Sequence, residues 1–373
     1  MRSGSPTNFK LSSHTESVRS TRKRVCDHCK TDGTGRNIIL SFDGTSNQYG
    51  DKNTNVIELY ARIIKDDTQF TYYNSGVGTY ARPSRRSIKY WKQGLDNAID
   101  LAIAWNFEKV VIAGYRWLSN HYEPGDRIFL FGFSRGAYQI RALAAMIDKV
   151  GLILPGNEEQ IPFAYELYAN LNRHFRKGYN KEKSAQFFKT TFSRENVKIH
   201  FLGAWDSVSS VGVIRGKTLP ETTMINKNIC YFRHALAIDE RRVKFTPEYI
   251  CGGESYPEKT MAGTEPRIKE VWFSGCHSDI GGGSRVNDRL DNAAPPVLWM
   301  GNEALRAGLK IRASNVEWKW EELEDSRPTE SLTGIWRLLE VLPFRRLSYV
   351  DGRGVTWWPH FFKGRIIKPA CRP

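Results

Sequence analysis

The sequence predicts an α/β protein with a mostly parallel β-sheet covered by helices on both faces, and three observations carry that expectation. Short apolar runs recur four times, each run stops at a turn, and the spacing between runs leaves room for a helical crossover. The runs are Ile38 to Phe42 into Asp43-Gly44-Thr45, Arg127 to Phe131 into Gly132, Val197 to Leu202 into Gly203-Ala204-Trp205-Asp206, and Ile268 to Phe273 into Ser274-Gly275-Cys276-His277. A buried strand ending in a turn reads in this way. Residues 97–120 and 137–150 read as helices, and strand-helix alternation of this kind builds a parallel sheet covered on both sides.

Length and composition bound the rest. A chain of 373 residues buries one large core, and a single catalytic domain with insertions over 36–373 is the simplest division. Hydrophobic residues at 40% and charged residues at 25% are ordinary for a globular protein. No uncharged apolar run reaches the roughly 18 residues that a membrane span needs, so the expectation is a soluble or peripheral protein. The first 20 residues lack the apolar core of a secretory signal, and six cysteines, of which only Cys26 and Cys29 are close, do not form a disulfide framework. An intracellular, cytoplasmic setting with peripheral membrane contact follows as the expectation. The net charge of +15 favours anionic partners such as acidic lipid head groups or phosphate-bearing substrates, with no specific nucleic-acid binding predicted.

Taken in order, residues 1–35 are polar and basic (Arg2, Lys10, Arg19, Arg22, Lys23, Arg24, Lys30) and read as a disordered arm. Cys26, His28 and Cys29 fall short of the four ligands of a stable zinc site, so no metal is assigned to them. Residues 155–195 place Phe163, Tyr165, Tyr168, His174, Phe175, Phe187 and Phe188 at helical spacing. They suit either a helical lid over the active-site face or helices packed on the sheet. Residues 310–373 read as a C-terminal extension packing on the domain. Within it, Trp357-Trp358-Pro359-His360-Phe361-Phe362-Lys363-Gly364-Arg365 mixes aromatic and basic residues. Such a mixture suits either a membrane-interface surface or core packing with a charged rim.

Gly132-Phe133-Ser134-Arg135-Gly136 is a GxSxG sequence between a hydrophobic strand and an alanine-rich helix, and that context makes it a nucleophile elbow of the α/β-hydrolase type. The turn is so sharp that side chains at the flanking positions would collide, which calls for glycine and pushes the serine to the tip. Free N–H groups at the helix N-terminus then favour a developing oxyanion. A serine hydroxyl needs a base, and the base needs a group that fixes its tautomer. In this fold the order along the chain is serine, acid, histidine, each at a strand end. Asp206 and His277 meet that demand as acid and base.

The other histidines fit less well. His14 and His28 lie in the tail, His200 is inside a strand, and His121, His174 and His360 follow no strand. His234 sits in a helix-like stretch, Tyr231 to Ile238, as a packing histidine. Asp279 is the rival acid, but two residues from His277 it is better placed to brace the glycine loop. Oxyanion donors are expected from the Arg135 N–H and from Gly44 and Thr45 in the turn after the first strand, with Asp43 bracing that turn.

Six segments carry a wider likeness: Phe42 to Asn47, Asn74 to Gly78, Gly125 to Ala137, Ala204 to Val208, His234 to Phe245 and Gly275 to Gly283, in order across about 37–305. Together they resemble an uncharacterised α/β-hydrolase domain family that includes phospholipase effectors of bacterial type VI secretion and many fungal proteins. The resemblance implies a triad of Ser134, Asp206 and His277, fatty-acyl esters or phospholipids as substrates, and no cofactor. Cys276 departs from the family pattern, where a small or aliphatic residue is common, and the end at Pro373 leaves a final strand unaccounted for.

Two other readings were weighed. Asp43-Gly44-Thr45 after a strand is similar to the DxDxT of aspartyl-phosphate phosphatases, but Ser41 stands where the nucleophilic carboxylate belongs. The second is a catalytically inactive hydrolase-fold adaptor that binds a partner or an anionic membrane through its basic surface.

Overall fold

The computed structural model describes residues 35–44, 50–76, 95–171, 180–208, 219–223, 227–253, 265–286, 293–314, 320–324, 326–343, 346–349 and 354–367. The basic arm with Cys26 and Cys29, and Thr45 of the first turn, lie outside the described residues.

Six strands form one parallel sheet: β1 (Asn37–Phe42), β2 (Gln69–Asn74), β3 (Arg127–Phe133), and, after a separate antiparallel pair of β4 (Leu152–Ile153) with β5 (Ser193–Arg194), β6 (Ile199–Trp205), β7 (Ile229–Ala237) and β8 (Ile268–Phe273). The order is β2-β1-β3-β6-β7-β8, and every pairing is parallel. This is the α/β-hydrolase-like sheet that the sequence predicts. Its central strands are apolar at successive positions because both faces are covered. Ile128 and Leu130 face one core with Ile38, Leu40 and Phe42, while Phe129 and Phe131 face the other with Ile39. Each such side chain contributes about 1.5–3 kcal/mol by leaving water.

Helices α2 (Leu95–His121), α3 (Arg135–Val150), α4 (Ile161–Ala169) and α5 (Lys181–Phe192) cover the first face. Helices α1 (Asn55–Arg62), α6 (His277–Gly281) and α7 (Ala294–Arg306) cover the second through Val56, Leu59, Ile280, Val297 and Met300. The described part of the 155–195 segment does not form a lid. Ile161, Ala164, Tyr168, Ala185 and Phe188 are buried in the core beneath α3. The antiparallel β4–β5 pair, which brackets α4 and α5, lies beside Gly151, at the far end of α3 from Ser134. Of the seven positions read at helical spacing, Tyr165, Tyr168 and Phe188 are buried by packing on the sheet, Phe163 and Phe187 are exposed, and His174 and Phe175 lie outside the described residues.

Two strands are not evident in the sequence. β2 is an edge strand rich in tyrosine and amide side chains. β7 was expected as helix around His234, but it is an interior strand whose polar residues find buried partners. Arg233 pairs with Glu303 at 2.5 Å, and His234 Nδ1 lies 2.8 Å from Glu270 Oε1.

The extension beyond α7 contributes α8 (Trp320–Glu324), α9 (Ile335–Val341) and a hairpin of β9 (Arg346–Ser348) with β10 (Gly354–Thr356). Tyr349 packs with Leu236 and Tyr249, and buried Glu340 accepts the Val243 N–H at 2.6 Å.

Candidate active site

Ser134 ends β3 and opens α3 in a backbone conformation, φ 57° and ψ −121°, that L-residues rarely adopt. The reversal brings the flanking glycines against backbone. A Cβ at Gly132 would lie 2.6 Å from the Gly136 carbonyl oxygen, and one at Gly136 would collide with the Phe42 carbonyl. Both glycines of the motif are therefore required sterically, and the strand-to-helix turn lifts the serine to the tip.

His277 is the first residue of α6, reached from β8 through Ser274-Gly275-Cys276. Its Nε2 lies 2.8 Å from Ser134 Oγ and its Nδ1 lies 2.5 Å from Asp206 Oδ2. With the Nδ1 proton facing the carboxylate, Nε2 is left to accept the serine proton. The ring sits between Phe133 and Phe245, with centroids at 4.7 and 4.8 Å. Its backbone N–H donates to Glu240 Oε2 at 3.1 Å. Glu240 is fixed in turn by three donors of Arg242 and by Ser331 Oγ. Burial pushes the Glu240 carboxyl up, but Arg242 outweighs it and holds the group below its usual range.

Asp206 follows β6 with φ 40° and is fully buried. Its Oδ1 accepts the Ala237 N–H at 3.1 Å and its Oδ2 faces His277. Arg365 of the extension clamps both oxygens, Nη1 to Oδ1 at 2.5 Å and Nη2 to Oδ2 at 2.8 Å. Burial drives the Asp206 carboxyl up, yet the charge and hydrogen bonds of Arg365, with His277 added, hold it well below the usual carboxylate range.

Asp279 does not face the ring. It accepts from the Cys276 N–H at 2.9 Å and from the N–H and hydroxyl of Thr329 at 2.8 and 2.7 Å, fastening the start of α6 to the extension. Asp43 accepts from Thr54 Oγ1 at 2.6 Å and Tyr73 OH at 2.9 Å, which ties the first turn to α1 and β2. It also takes the Gly44 N–H at 2.6 Å, so this donor is turned onto its neighbour's carboxylate instead of the serine. The Arg135 N–H is in the first turn of α3, where helical N–H groups have no intrahelical partner. The Arg135 guanidinium beside it is pulled down to about 10 by burial.

Sequence reasoning thus reached the three residues that the fold brings into one hydrogen-bonded chain. It missed Arg365, Glu240, Arg242 and Phe245. Glu240, Arg242 and Phe245 lie in the segment His234 to Phe245, which the resemblance marked without giving its residues a task. For Arg365 no local signal exists, because its partner is 159 positions away.

A family model described as T6SS, phospholipase effector Tle1-like, catalytic domain, matches residues 36–303. Among curated proteins, the uncharacterized protein YEL023C of Saccharomyces cerevisiae is 39% identical over 222 residues, which is 57% of this chain and 32% of that protein. The chain therefore spans about a third of the length of that relative. An uncharacterized protein from Pseudomonas aeruginosa of known crystal structure is 19% identical, with TM-score 0.40 over 79% of this chain and 49% of its own. The Tle1 effector bound to the VgrG spike from the type 6 secretion system is also 19% identical, with TM-score 0.36 over 67% and 51%.

Proposed function

This chain belongs to the family of Tle1-like phospholipase effector catalytic domains, and from that premise we propose that it is a serine hydrolase of lipid acyl esters that works through an acyl-enzyme on Ser134. The observation that carries the reading is the continuous path from Ser134 Oγ to His277 Nε2 at 2.8 Å and from His277 Nδ1 to Asp206 at 2.5 Å.

His277 accepts the Ser134 proton as Oγ attacks the ester carbonyl carbon. Asp206 keeps the Nδ1 proton in place and stabilises the imidazolium that forms. The Arg135 N–H holds the developing oxyanion at the head of α3. Collapse of the tetrahedral adduct expels the alcohol, which takes its proton from His277, and water then attacks the acyl-serine with His277 again as base. Deacylation releases the carboxylic acid, so one alcohol and one acid have left, and the triad returns to its starting protonation.

A lipid ester suits the remaining surface. Trp357 and Trp358 are 63% and 78% exposed beside exposed Phe361 and the basic Lys363, a composition suited to the interface of an anionic membrane. Among the described residues no helix is long and apolar enough to cross a membrane. We assign the activity to a peripheral contact of this aromatic and basic surface with such an interface.

Labelling with a fluorophosphonate, which reacts only with an activated serine, tests the reading. Wild type is expected to label, and Ser134→Ala and His277→Ala are expected not to. Folded protein that resists the probe, or a Ser134→Ala variant that still labels, would overturn the assignment and leave the fold as a binding module.

A further inference from the structure

We infer that Arg365 is a positioning residue for the candidate triad, so that the extension beyond the family-matched domain supplies a fourth buried residue on which turnover depends. The inference rests on the reading of Ser134, Asp206 and His277 given above.

Arg365 is not a surface arginine that happens to meet a carboxylate. Its guanidinium makes the bidentate pair with Asp206 and donates from the same two nitrogens to the Ala237 carbonyl at 2.7 Å and the Phe245 carbonyl at 2.6 Å. It therefore joins the acid, the end of β7 and the loop that carries Phe245, whose ring packs on His277. The chain on either side of it is fastened as well. Before it, Glu340 Oε2 holds the His360 ring at 2.5 Å and the Glu340 carbonyl accepts the N–H groups of His360 and Phe361, while Arg241 donates to the Phe362 carbonyl at 3.1 Å. After it, Tyr249 OH donates to the Ile366 carbonyl at 3.2 Å. Positive φ angles at Phe361 and Phe362, 53° and 60°, turn the backbone just ahead of the arginine.

Two consequences follow for the acid. A carboxylate with no access to water is costly to ionise unless a charge is placed on it. Among the described residues Arg365 is the arginine or lysine in contact with Asp206, since Arg242 is committed to Glu240 and faces Phe245 and Trp336. The two-pronged contact also fixes the carboxylate plane so that Oδ2 points at Nδ1. The other ionisable groups near the guanidinium are Glu240 and Tyr249, and both favour its charged form. Removing the arginine leaves a buried acid that takes up a proton as the pH falls, and a protonated Asp206 no longer fixes the His277 tautomer.

The test compares Arg365→Gln and Arg365→Lys with wild type in ester hydrolysis from pH 5 to 9, with p-nitrophenyl butyrate as probe and circular dichroism to verify folding. Arg365→Gln is expected to lose roughly 10- to 100-fold in kcat near pH 6, the scale for losing a group that orients a functional ligand, with KM unchanged. Its deficit should shrink toward pH 9, so the acidic limb of the profile moves to higher pH. Arg365→Lys keeps the charge and is expected to lie between Arg365→Gln and wild type. In an Asp206→Asn background, Arg365→Gln is expected to cost nothing further, because its effect passes through the acid. A folded Arg365→Gln with the wild-type profile, or full additivity with Asp206→Asn, would overturn the inference. Should Arg365→Gln not fold, Arg365→Lys decides: a wild-type profile overturns it, and a lowered kcat with the same displacement supports it. Loss of labelling at Ser134→Ala stands apart from all these outcomes, so failure of the triad reading is distinguishable from failure of the arginine's role.

Discussion

His234 and His277 make almost the same local arrangement and differ in one atom's surroundings. Both rings are buried, and each points Nδ1 at a carboxylate, Glu270 at 2.8 Å for His234 and Asp206 at 2.5 Å for His277. The far nitrogen separates them. His234 Nε2 accepts the Ser207 backbone N–H at 3.0 Å, a donor that keeps its proton. His277 Nε2 faces the Ser134 hydroxyl, a donor that can lose one. A paired histidine and carboxylate is thus not a catalytic signature; the group opposite the second ring nitrogen decides whether the pair braces a strand or moves protons.

The largest effect that could break this comparison is at His277. His277→Gln is expected to cost on the order of 10⁶-fold in kcat, read on a lipid or p-nitrophenyl ester, with the melting temperature little changed; activity within tenfold of wild type would move the base elsewhere. Next comes the acid. Asp206→Asn is expected to cost about 10⁴-fold by favouring the wrong tautomer, whereas Asp279→Asn should cost far less, because Asp279 fastens backbone at the start of α6. The reverse order in side-by-side kinetics would reassign the acid. The smallest catalytic effect belongs to His234. His234→Gln should leave kcat within a fewfold of wild type but cost about 1–3 kcal/mol in urea unfolding, through loss of the hydrogen bonds to Glu270 and from the Ser207 N–H. A stable protein with lost turnover would make His234 part of the chemistry.

How much of this was legible depended on where the partners lie. β1, β3 and β6 could be read because interior strands show apolar runs that stop at turns, and β8, at an edge of the sheet, because its run also stops at a turn; Ser134, Asp206 and His277 follow β3, β6 and β8. β7 could not, because Arg233 and His234 break its apolar character and are neutralised only by Glu303 and Glu270, which the folded sheet brings alongside. β2 failed for a different reason: QFTYYN, rich in tyrosine and amide side chains, carries neither an apolar run nor a clear period. Arg365 was hidden by its setting. Among Trp357, Trp358, Phe361 and Phe362 it reads as one more interfacial cation, and only the three-dimensional path of the extension brings it to Asp206. The first turn shows the opposite limit, since Gly44 was expected as an oxyanion donor but the direction of its N–H is set by the Asp43 side chain.

The absence of a side chain at Gly136 bears on more than the shape of the turn. A Cβ there would stand 2.2 Å from the Phe42 carbonyl oxygen and 2.6 Å from that of Asp43, so the head of α3 rests directly on the main chain leaving β1. Backbone against backbone leaves no rotamer to adjust. The nucleophile and the first turn consequently form one stiff joint whose ordering entropy is lost when the chain folds, not when an ester arrives. Substrate meets a surface already set for the reaction, and the energy of its binding remains for the bond that must break.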